Sequence, residues 1–387
     1  MDPVPDRDPP APDYLAQDCL QPVYGERSVT FNPGTAFFRP KSRFVRDLGV
    51  LAAAVYRQQR GQVRVLETMA GCGVRSLRYG LEAGADWIWS NDGNPDLAPL
   101  LGENLRILGD RLQLTHYSAH KVFAHCALHQ DFYDLVDVDA FGNAAAYIPA
   151  ALGATRWGGL LYLTATDGRT LGGHDPDQCL RRYGSYGRAH PSSQEQGLRI
   201  LLGTMAQQAA TRGWGLTPVL ATFTGQTFRV MVRLGERSRS LEQTYGFLGY
   251  CHPCGHYEPV PWRKLGRASC PHHGAVQPLT LTGPLWLGSL HDGATLGLMA
   301  QQAQAWGWLD CLKTLAIMIA EADLPPYHFR LGDIGQRGAM DPPPRDRLIA
   351  ALQGSGYRAS PVHWNPQAIK TDAPLAHCID IGQHLTG

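Results

Sequence analysis

The most informative stretch of the chain is Val136-Asp137-Val138-Asp139-Ala140-Phe141-Gly142, an apolar run that ends in an acid, a small residue and an aromatic ring. A buried strand with this ending places its acid and ring at the carboxyl edge of an open α/β sheet, where such folds bind ligands. The ring of Phe141 can stack on a flat base, while Asp139 accepts a hydrogen bond from an exocyclic amine. The alternative is a strand end closed by an Asx turn at Gly142.

Segments on both sides of this stretch alternate between short apolar runs and helical patterns. Strands are predicted at 63–66, 87–90, 112–117, 133–138 and 160–165, and helices at 77–81, 97–108, 144–154 and 194–211. This alternation predicts an α/β fold with a parallel sheet that helices cover on both faces. Two further strands, at 216–224 and 228–234, are three residues apart and should form an antiparallel hairpin. The arrangement is similar to that of Rossmann-like methyltransferases.

The composition is that of a globular protein without a strong overall charge. The 387 residues are 44% hydrophobic and 18% charged, and the net charge is +1. That length predicts two domains, and the neutral balance means that local patches must bind any polyanion. After a charged link at 235–240 the chain becomes rich in cysteine, histidine and proline. We therefore expect a disordered tail at 1–25, a first domain at 26–235 and a smaller α+β domain at 236–387, with helices near 298–322 and 345–353.

Cysteine usage and hydropathy predict a cytoplasmic protein with no membrane span. Nine cysteines are an odd number and mostly scattered, which favours reduced thiols over a disulfide framework. The longest aliphatic run, at 315–320, is too short to cross a bilayer. The acidic, proline-rich start of the chain also lacks the pattern of a signal peptide.

A turn of small residues follows the first predicted strand, in Glu67-Thr68-Met69-Ala70-Gly71-Cys72-Gly73-Val74-Arg75. Such a turn lets a ligand approach backbone amides at a helix start. It lacks the third glycine of the dinucleotide fingerprint, but Asp92 closes the second strand, where an acid can bind ribose hydroxyls. The combination favours S-adenosyl-L-methionine, with nicotinamide dinucleotide or a purely structural turn as alternatives. The third strand is followed by Ser118-Ala119, where serine can still form a hydrogen bond.

Two cysteine-containing knuckles in the second half predict a metal site. Cys251-x2-Cys254 is followed, after fifteen residues, by Cys270-x2-His273. This spacing fits a closed, structural Zn²⁺ site with four protein ligands. Unliganded thiols are the alternative, and the fourth ligand is ambiguous because further histidines lie within reach: His252, His256 and His272.

Basic and aromatic residues alternate in a segment predicted to be a loop at 179–188. Arginines pair with phosphates and tyrosines stack on bases, so this loop is a candidate nucleic-acid contact, with a solvated basic loop as the alternative. The predicted basic surface is extended by Trp262, Arg263, Lys264, Arg267, Arg345, Arg347, Arg358 and Lys370.

Taken together, these segments resemble the tRNA guanine-26 N2-dimethyltransferases over nearly the whole chain. The matching stretches, in chain order, include Ala36-Phe37-Phe38-Arg39-Pro40, Arg46-Asp47-Leu48, Gly73-Val74-Arg75-Ser76-Leu77-Arg78-Tyr79, Val138-Asp139-Ala140-Phe141-Gly142, Leu163-Thr164-Ala165-Thr166-Asp167, Gly283-Pro284-Leu285-Trp286-Leu287-Gly288 and Asn365-Pro366-Gln367-Ala368-Ile369-Lys370-Thr371-Asp372-Ala373.

The resemblance implies a Rossmann-like methyltransferase domain, a zinc-containing second domain, and methylation of a guanosine amine in tRNA without an obligate protein partner. It implies that S-adenosyl-L-methionine is bound by Arg46, Arg75, Asp92, Ser118 and Ala119. It also implies that Asp139 orients and deprotonates the amine, and that Phe37 and Phe141 sandwich the flipped base. The zinc ligands are Cys251, Cys254, Cys270 and His273, the last in place of a cysteine.

Three departures from the family pattern affect the expected activity. Ala140 replaces a proline and should loosen its loop, Arg39 replaces an asparagine, and Ser118 replaces an acid. These departures leave open a second possibility, a tRNA-binding or chaperone protein that keeps the fold but has lost activity. A DNA amino-methyltransferase or a nicotinamide oxidoreductase fits the sheet alone, but neither explains the zinc cluster.

Overall fold

The computed structural model describes residues 23–236, 241–273 and 277–386. Most of the tail predicted at 1–25 and part of the link predicted at 235–240 lie outside these residues. The strands are β1 (Tyr24–Glu26), β2 (Val29–Phe31), β3 (Arg64–Glu67), β4 (Trp87–Asn91), β5 (Leu112–Thr115), β6 (Tyr133–Asp139), β7 (Thr155–Ala165), β8 (Gly215–Thr224), β9 (Thr227–Gly235), β10 (Tyr245–Tyr250), β11 (Tyr257–Val260), β12 (Thr280–Trp286), β13 (Phe329–Arg330), β14 (Ala359–Val362) and β15 (Asn365–Thr371).

The helices connect these strands and cover the largest sheet. They are α1 (Arg43–Arg60), α2 (Val74–Leu81), α3 (Ala98–Leu105), α4 (Ala119–His129), α5 (Ile148–Ala154), α6 (Gly168–Leu171), α7 (Pro176–Tyr183), α8 (Ser193–Ala210), α9 (Leu241–Thr244), α10 (Gly293–Ala305), α11 (Leu309–Glu321), α12 (Leu331–Arg337), α13 (Arg345–Gly354) and α14 (Leu375–Thr386). Within the described ranges, no helix has both the length and the apolar character needed to cross a bilayer.

The largest sheet has seven strands in the order β5-β4-β3-β6-β7-β9-β8. Strands β5, β4, β3, β6 and β7 pair in parallel, whereas β9 is antiparallel to both β7 and β8. This order confirms the predicted parallel sheet that finishes in a hairpin. Val136 and Val138 belong to one hydrophobic core and Leu135 to the other, as expected for a strand covered on both faces.

Helix α4, between β5 and β6, is absent from the sequence prediction. Ser118 caps it, because its side-chain oxygen accepts a hydrogen bond from the Lys121 amide at 3.3 Å. Val122, Phe123 and Cys126 bury one face. Three histidines among its eleven residues interrupt the apolar pattern, which explains why the periodicity did not reveal the helix.

Two predicted helices have different bounds in the structure. The single helix predicted at 298–322 is wrong, because α10 ends at Ala305 and α11 begins at Leu309. Between them Gly307 has a φ of 70°, the left-handed conformation that commonly ends a helix. The helix predicted at 144–154 begins only at Ile148, with Pro149 in its first turn.

The part of the chain after β9 builds two small sheets, β11-β10-β12 and β13-β15-β14, with helices around them. Its core is not separate from that of the large sheet. Leu48 and Leu51 of α1 share one hydrophobic cluster with Leu315 and Met318 of α11. The segments predicted as two domains, 26–235 and 236–387, therefore share their cores, and the domain division stays a proposal.

Candidate active site at the carboxyl edge of the sheet

A cavity of about 320 Å³ lies at the carboxyl ends of β3, β4, β6 and β7. Six residues expected at the site from the sequence line it: Phe37, Arg46, Arg75, Asp92, Asp139 and Phe141. The other two, Ser118 and Ala119, begin α4 at the same sheet edge but are not among the lining residues. Six of the eight residues expected at this edge of the sheet therefore line one cavity.

Asp139 ends β6 between two arginine side chains. Its carboxylate accepts a hydrogen bond from Arg75 Nη2 at 2.8 Å, and its two oxygens lie 3.0 and 3.3 Å from Arg229 Nη2. Burial alone would raise the pKa of Asp139, but the positive charges of Arg229 and Arg75 outweigh it and hold that pKa well below its ordinary value. The side chain is 32% exposed, so the ionised carboxylate remains accessible from the cavity.

The strand register explains how Arg229 reaches Asp139 across 90 positions of sequence. Asp139 is paired with Thr164 on β7, and Thr164 is paired with Arg229 on β9. The three residues therefore form one row across the sheet, with their side chains on the same face. The sequence interpretation did not include Arg229, and only the pairing of the strands shows its role.

A second carboxylate, that of Asp137, is fully buried and lies two residues before Asp139 on β6. It accepts hydrogen bonds from Arg75 Nη1 at 2.9 Å and from the Tyr79 hydroxyl at 2.6 Å. Alternation along a strand puts Asp137 and Asp139 on one face, which lets a single guanidinium bind both. Arg75, which was expected to contact the cofactor, lines the cavity and also fixes these two acids.

The turn after β3 brings a buried acid, Glu67, and one glycine, Gly71, to the cavity wall. Glu67 accepts a hydrogen bond from the Ser76 amide at 2.8 Å, while its Oε1 has no partner among the described residues. Burial and the nearby charge of Asp137 raise the pKa of Glu67 to about 8. Gly73 has a φ of 80°, and a Cβ there would lie 2.9 Å from the Leu101 side chain, so the turn requires glycine.

Asp92, which follows β4, lines the same cavity and binds this turn. One carboxylate oxygen accepts a hydrogen bond from the Gly71 amide at 2.7 Å, and the other accepts one from the Asn94 amide at 2.9 Å. Each oxygen keeps a free lone pair that can accept a further hydrogen bond from a ligand. The expected acid at the end of the second strand therefore lies where the sequence placed it.

Arg46 is buried in the wall below Phe37, where it makes an ion pair and holds a loop. Its Nε donates to Glu26 Oε1 at 2.8 Å, and Nη1 and Nη2 both lie 3.3 Å from the Arg39 carbonyl oxygen. These bonds fix the segment that carries Phe37. The observed role of Arg46 is thus to position this segment, in addition to lining the cavity.

The two expected stacking rings stand at the cavity mouth. Phe37 is 74% exposed and Phe141 is 86% exposed, and neither is in a ring pair with another aromatic residue of the described chain. The Arg39 guanidinium lies over the Phe37 ring at 5.6 Å. Exposed apolar surface at the rim of a groove is typical of ligand-binding sites.

The loop that carries Phe141 is held despite the alanine at position 140. The Gly142 amide donates to the Thr166 hydroxyl at 2.6 Å, and the Thr166 amide donates to the Gly142 carbonyl at 3.0 Å. Ala140 itself is 1% exposed. The loss of proline was expected to loosen this loop, but two hydrogen bonds to Thr166, just after β7, hold it in place.

The four predicted metal ligands converge between β10 and β12. Their ligand atoms all lie within 4.8 Å of one another: Cys251, Cys254, Cys270 and His273. The Cys254 and Cys270 sulfurs are 3.5 Å apart, and His273 Nδ1 lies 3.3 and 3.6 Å from the Cys270 and Cys251 sulfurs. A zinc tetrahedron with bonds of about 2.3 and 2.0 Å has edges of roughly 3.5 to 3.8 Å. The donor set fits such an ion, and the geometry favours His273 as the fourth ligand.

The predicted basic surface is partly wrong. Residues 176–183 form helix α7 rather than a loop, because Asp175 caps it by accepting a hydrogen bond from the Gln178 amide at 3.2 Å. Within it, Arg182 pairs with Asp167 at 2.7 Å. Lys370 is buried and donates to Glu195 at 2.6 Å, so it joins β15 to α8 and does not face solvent. Arg181 and Arg188 remain exposed.

Comparison with known proteins covers nearly the whole chain. Residues 22–383 match the model of the N2,N2-dimethylguanosine tRNA methyltransferase family. The tRNA (guanine(26)-N(2))-dimethyltransferase of Methanospirillum hungatei is 33% identical over 377 residues, which cover 95% of this chain and 96% of the relative. The enzyme of the same name from Methanothermobacter thermautotrophicus is 29% identical, covering 89% of this chain and 92% of its own.

Among solved structures, that of Trm1 from Pyrococcus horikoshii in complex with S-adenosyl-L-methionine is similar, with a TM-score of 0.79 and 25% identity. The match covers 93% of this chain and 99% of that structure. The similarity therefore includes the part after β9 as well as the large sheet.

Proposed function

Because this chain belongs to the N2,N2-dimethylguanosine tRNA methyltransferase family, we propose that it transfers methyl groups from S-adenosyl-L-methionine to the N2 amine of guanosine 26 in tRNA. The products are N2-methylguanosine and N2,N2-dimethylguanosine. The observation that carries this proposal is the ionised Asp139 carboxylate at a cavity whose lining also includes two exposed aromatic rings. No feature of the described site favours the non-catalytic alternative.

The reaction needs a guanine that has left its stack and an amine that is held in one orientation. Phe37 and Phe141 provide ring faces on which the flipped base stacks. Asp139 accepts a hydrogen bond from the N2 amine, and Arg75 and Arg229 prevent the carboxylate from turning away. Positioning of this kind supplies a large part of the rate enhancement in transfer reactions.

The low pKa of Asp139 defines its chemical role. A carboxylate that two arginines stabilise is a weak base towards a neutral amine, whose lone pair is delocalised into the ring. The nitrogen becomes positively charged as the new bond forms, and a negative charge at hydrogen-bond distance stabilises that charge. Asp139 then accepts the proton from the cationic nitrogen, which is a far stronger acid than the starting amine.

The cofactor side of the cavity is formed by the turn after β3. When bound, S-adenosyl-L-methionine supplies a methyl group on a positively charged sulfur. We assign Asp92 to the ribose hydroxyls and the unpartnered Glu67 Oε1 to the ammonium group. Further proposed contacts are made by Arg46, Arg75, Ser118 and Ala119. Of these, Ser118 and Ala119 make contact only if the ligand extends beyond the cavity towards α4.

The cluster at 251–273 is proposed to hold one structural Zn²⁺. All four positions are filled by protein ligands, which leaves no open position for a reacting group. The cluster closes the turn between β10 and β11 onto the segment that follows β11. Its effect on activity should therefore act through the stability of that part of the chain.

The proposed function is tested with an unmodified tRNA transcript, methyl-labelled S-adenosyl-L-methionine and mass spectrometry of the digested product. We expect N2-methylated guanosine at position 26, and none in a control transcript that carries adenosine there. Asp139→Ala should bind the cofactor normally and transfer little label. Equal labelling of both transcripts, or wild-type activity in Asp139→Ala, would contradict the proposal.

A further inference from the structure

A second, more open groove of about 700 Å³ lies beside the cavity. It is bounded by α6, the start of α8 and the turn between β8 and β9. Thr166, which fixes the Phe141 loop, lines both the cavity and the groove. Because β7 ends and β9 begins at the carboxyl edge of the sheet, the groove opens on the same edge as Asp139.

Four polar side chains of this groove have no partners in the described part of the chain. The end groups of Arg169, His174, Gln194 and Gln226 make no hydrogen bond or ion pair with any described residue. The acid nearest to Arg169 in sequence, Asp167, is already paired with Arg182 at 2.7 Å. The charge of Arg169 is therefore available to a ligand, in a protein whose overall net charge is close to neutral.

The groove also offers a partly exposed ring. Phe223 packs against Phe228 at a centroid distance of 4.8 Å and lines the groove wall. A guanidinium, free amide groups and an aromatic wall are together the groups that bind single-stranded RNA: the guanidinium binds phosphate, the amides bind ribose or base edges, and the ring supports a base.

We propose that this groove is a second nucleotide subsite, which binds the phosphate and ribose of the nucleotide next to the target guanosine. The proposal rests on the proposed function, since it takes the flipped base to lie between Phe37 and Phe141. Thr166 stands between the two sites, so two consecutive nucleotides of one strand occupy them. Arg169 neutralises the phosphate that joins them, and the contact holds the flipped conformation from outside the reaction centre.

The test compares Arg169→Gln and Arg169→Lys with a matched control, Arg106→Gln. Arg106 is exposed and precedes β5, so it lies at the opposite, amino edge of the sheet. Binding of a fluorescent tRNA transcript is measured by anisotropy at several salt concentrations, together with steady-state methylation. Affinity for S-adenosyl-L-methionine, measured by calorimetry, checks that each variant is folded.

For Arg169→Gln we expect roughly threefold to tenfold weaker transcript binding and a salt dependence reduced by about one charge, with cofactor affinity unchanged. The Michaelis constant for tRNA should rise by a similar factor, while turnover at saturation falls less. Arg169→Lys should recover most of the binding, and Arg106→Gln should behave as the wild type.

Two results would overturn the subsite while the proposed function stands: normal binding and methylation by Arg169→Gln, or an equal loss in Arg106→Gln. If the wild-type protein does not methylate guanosine 26, the proposed function fails first and the subsite fails with it.

Discussion

The coupling between Asp139 and Arg229 gives the sharpest quantitative test of the proposed mechanism. Asp139→Asn removes the negative charge and leaves the buried guanidinium groups of Arg75 and Arg229 facing the reacting nitrogen. The variant therefore loses an acceptor and also gains an unfavourable potential where positive charge develops. Loss of a positioned acid–base group typically lowers turnover about 10² to 10⁴-fold.

The structure gives the expected size of the coupling. Two unit charges about 4 Å apart interact by roughly 4 kcal/mol at an effective dielectric constant near 20. The Asp139 side chain is 32% exposed and Arg75 shares its charge, so we expect a smaller value. Coupling energies of about 0.5 to 3 kcal/mol are observed for interacting neighbours, and we expect a value in the upper part of this range.

The assay is a double-mutant cycle with Asp139→Asn, Arg229→Gln and the double variant. Single-turnover methyl transfer at saturating tRNA and cofactor gives the free energy of activation for each protein. Removal of Arg229 should lower the methyl-transfer rate less in the Asp139→Asn variant than in the wild type, and a partial recovery of that rate is expected. If the increases in activation free energy of the two single variants add up to that of the double variant within about 0.5 kcal/mol, a direct charge interaction between the two groups is refuted.

Three further predictions concern the other parts of the site. Because burial raises the pKa of Glu67 to about 8, binding of the cofactor by the ionised carboxylate must release a proton. The affinity for S-adenosyl-L-methionine, measured by calorimetry, should therefore rise roughly tenfold from pH 6 to pH 7. Glu67→Gln should remove this pH dependence, and an equal pH slope in the variant would reject the assignment. Elemental analysis should find about one zinc per chain, and Cys270→Ser should lose it and lower the melting temperature; a metal-free wild type would reject the cluster. Phe141→Leu should weaken the use of tRNA without changing cofactor affinity, whereas Phe132→Leu, at the amino edge, should do neither; wild-type kinetics for Phe141→Leu would exclude stacking there.

The sequence alone predicted the features that depend on local pattern. Each of these features is defined by a few neighbouring residues: a strand with an acid and a ring at its end, a turn of small residues, and a pair of closely spaced cysteines. The pairing of Arg75 and Arg229 with Asp139 could not be found in this way, because these arginines lie 64 and 90 positions from it. Their contacts depend on how strands and helices are placed in space.

The wrong prediction for Lys370 also arises from a contact between residues far apart in the sequence. Lys370 was assigned to the surface because an isolated lysine is usually exposed, but a buried acid 175 positions away pairs with it. Helix α4 did carry one local signal, since serine, here Ser118, is a residue that commonly caps the start of a helix. That signal was read only as a possible ligand contact.

The packing of α1 has a consequence for how the chain reaches its native state. This helix precedes every strand of the large sheet, yet its core partners Leu315 and Met318 lie in the last quarter of the chain. Arg27, in the turn between β1 and β2, donates to Asp310 at 2.7 Å across 283 positions. Contacts of such long range close late and slow folding. During synthesis, the amino-terminal helix must therefore wait for α10 and α11 to emerge, and until then it exposes an apolar face that a chaperone can protect.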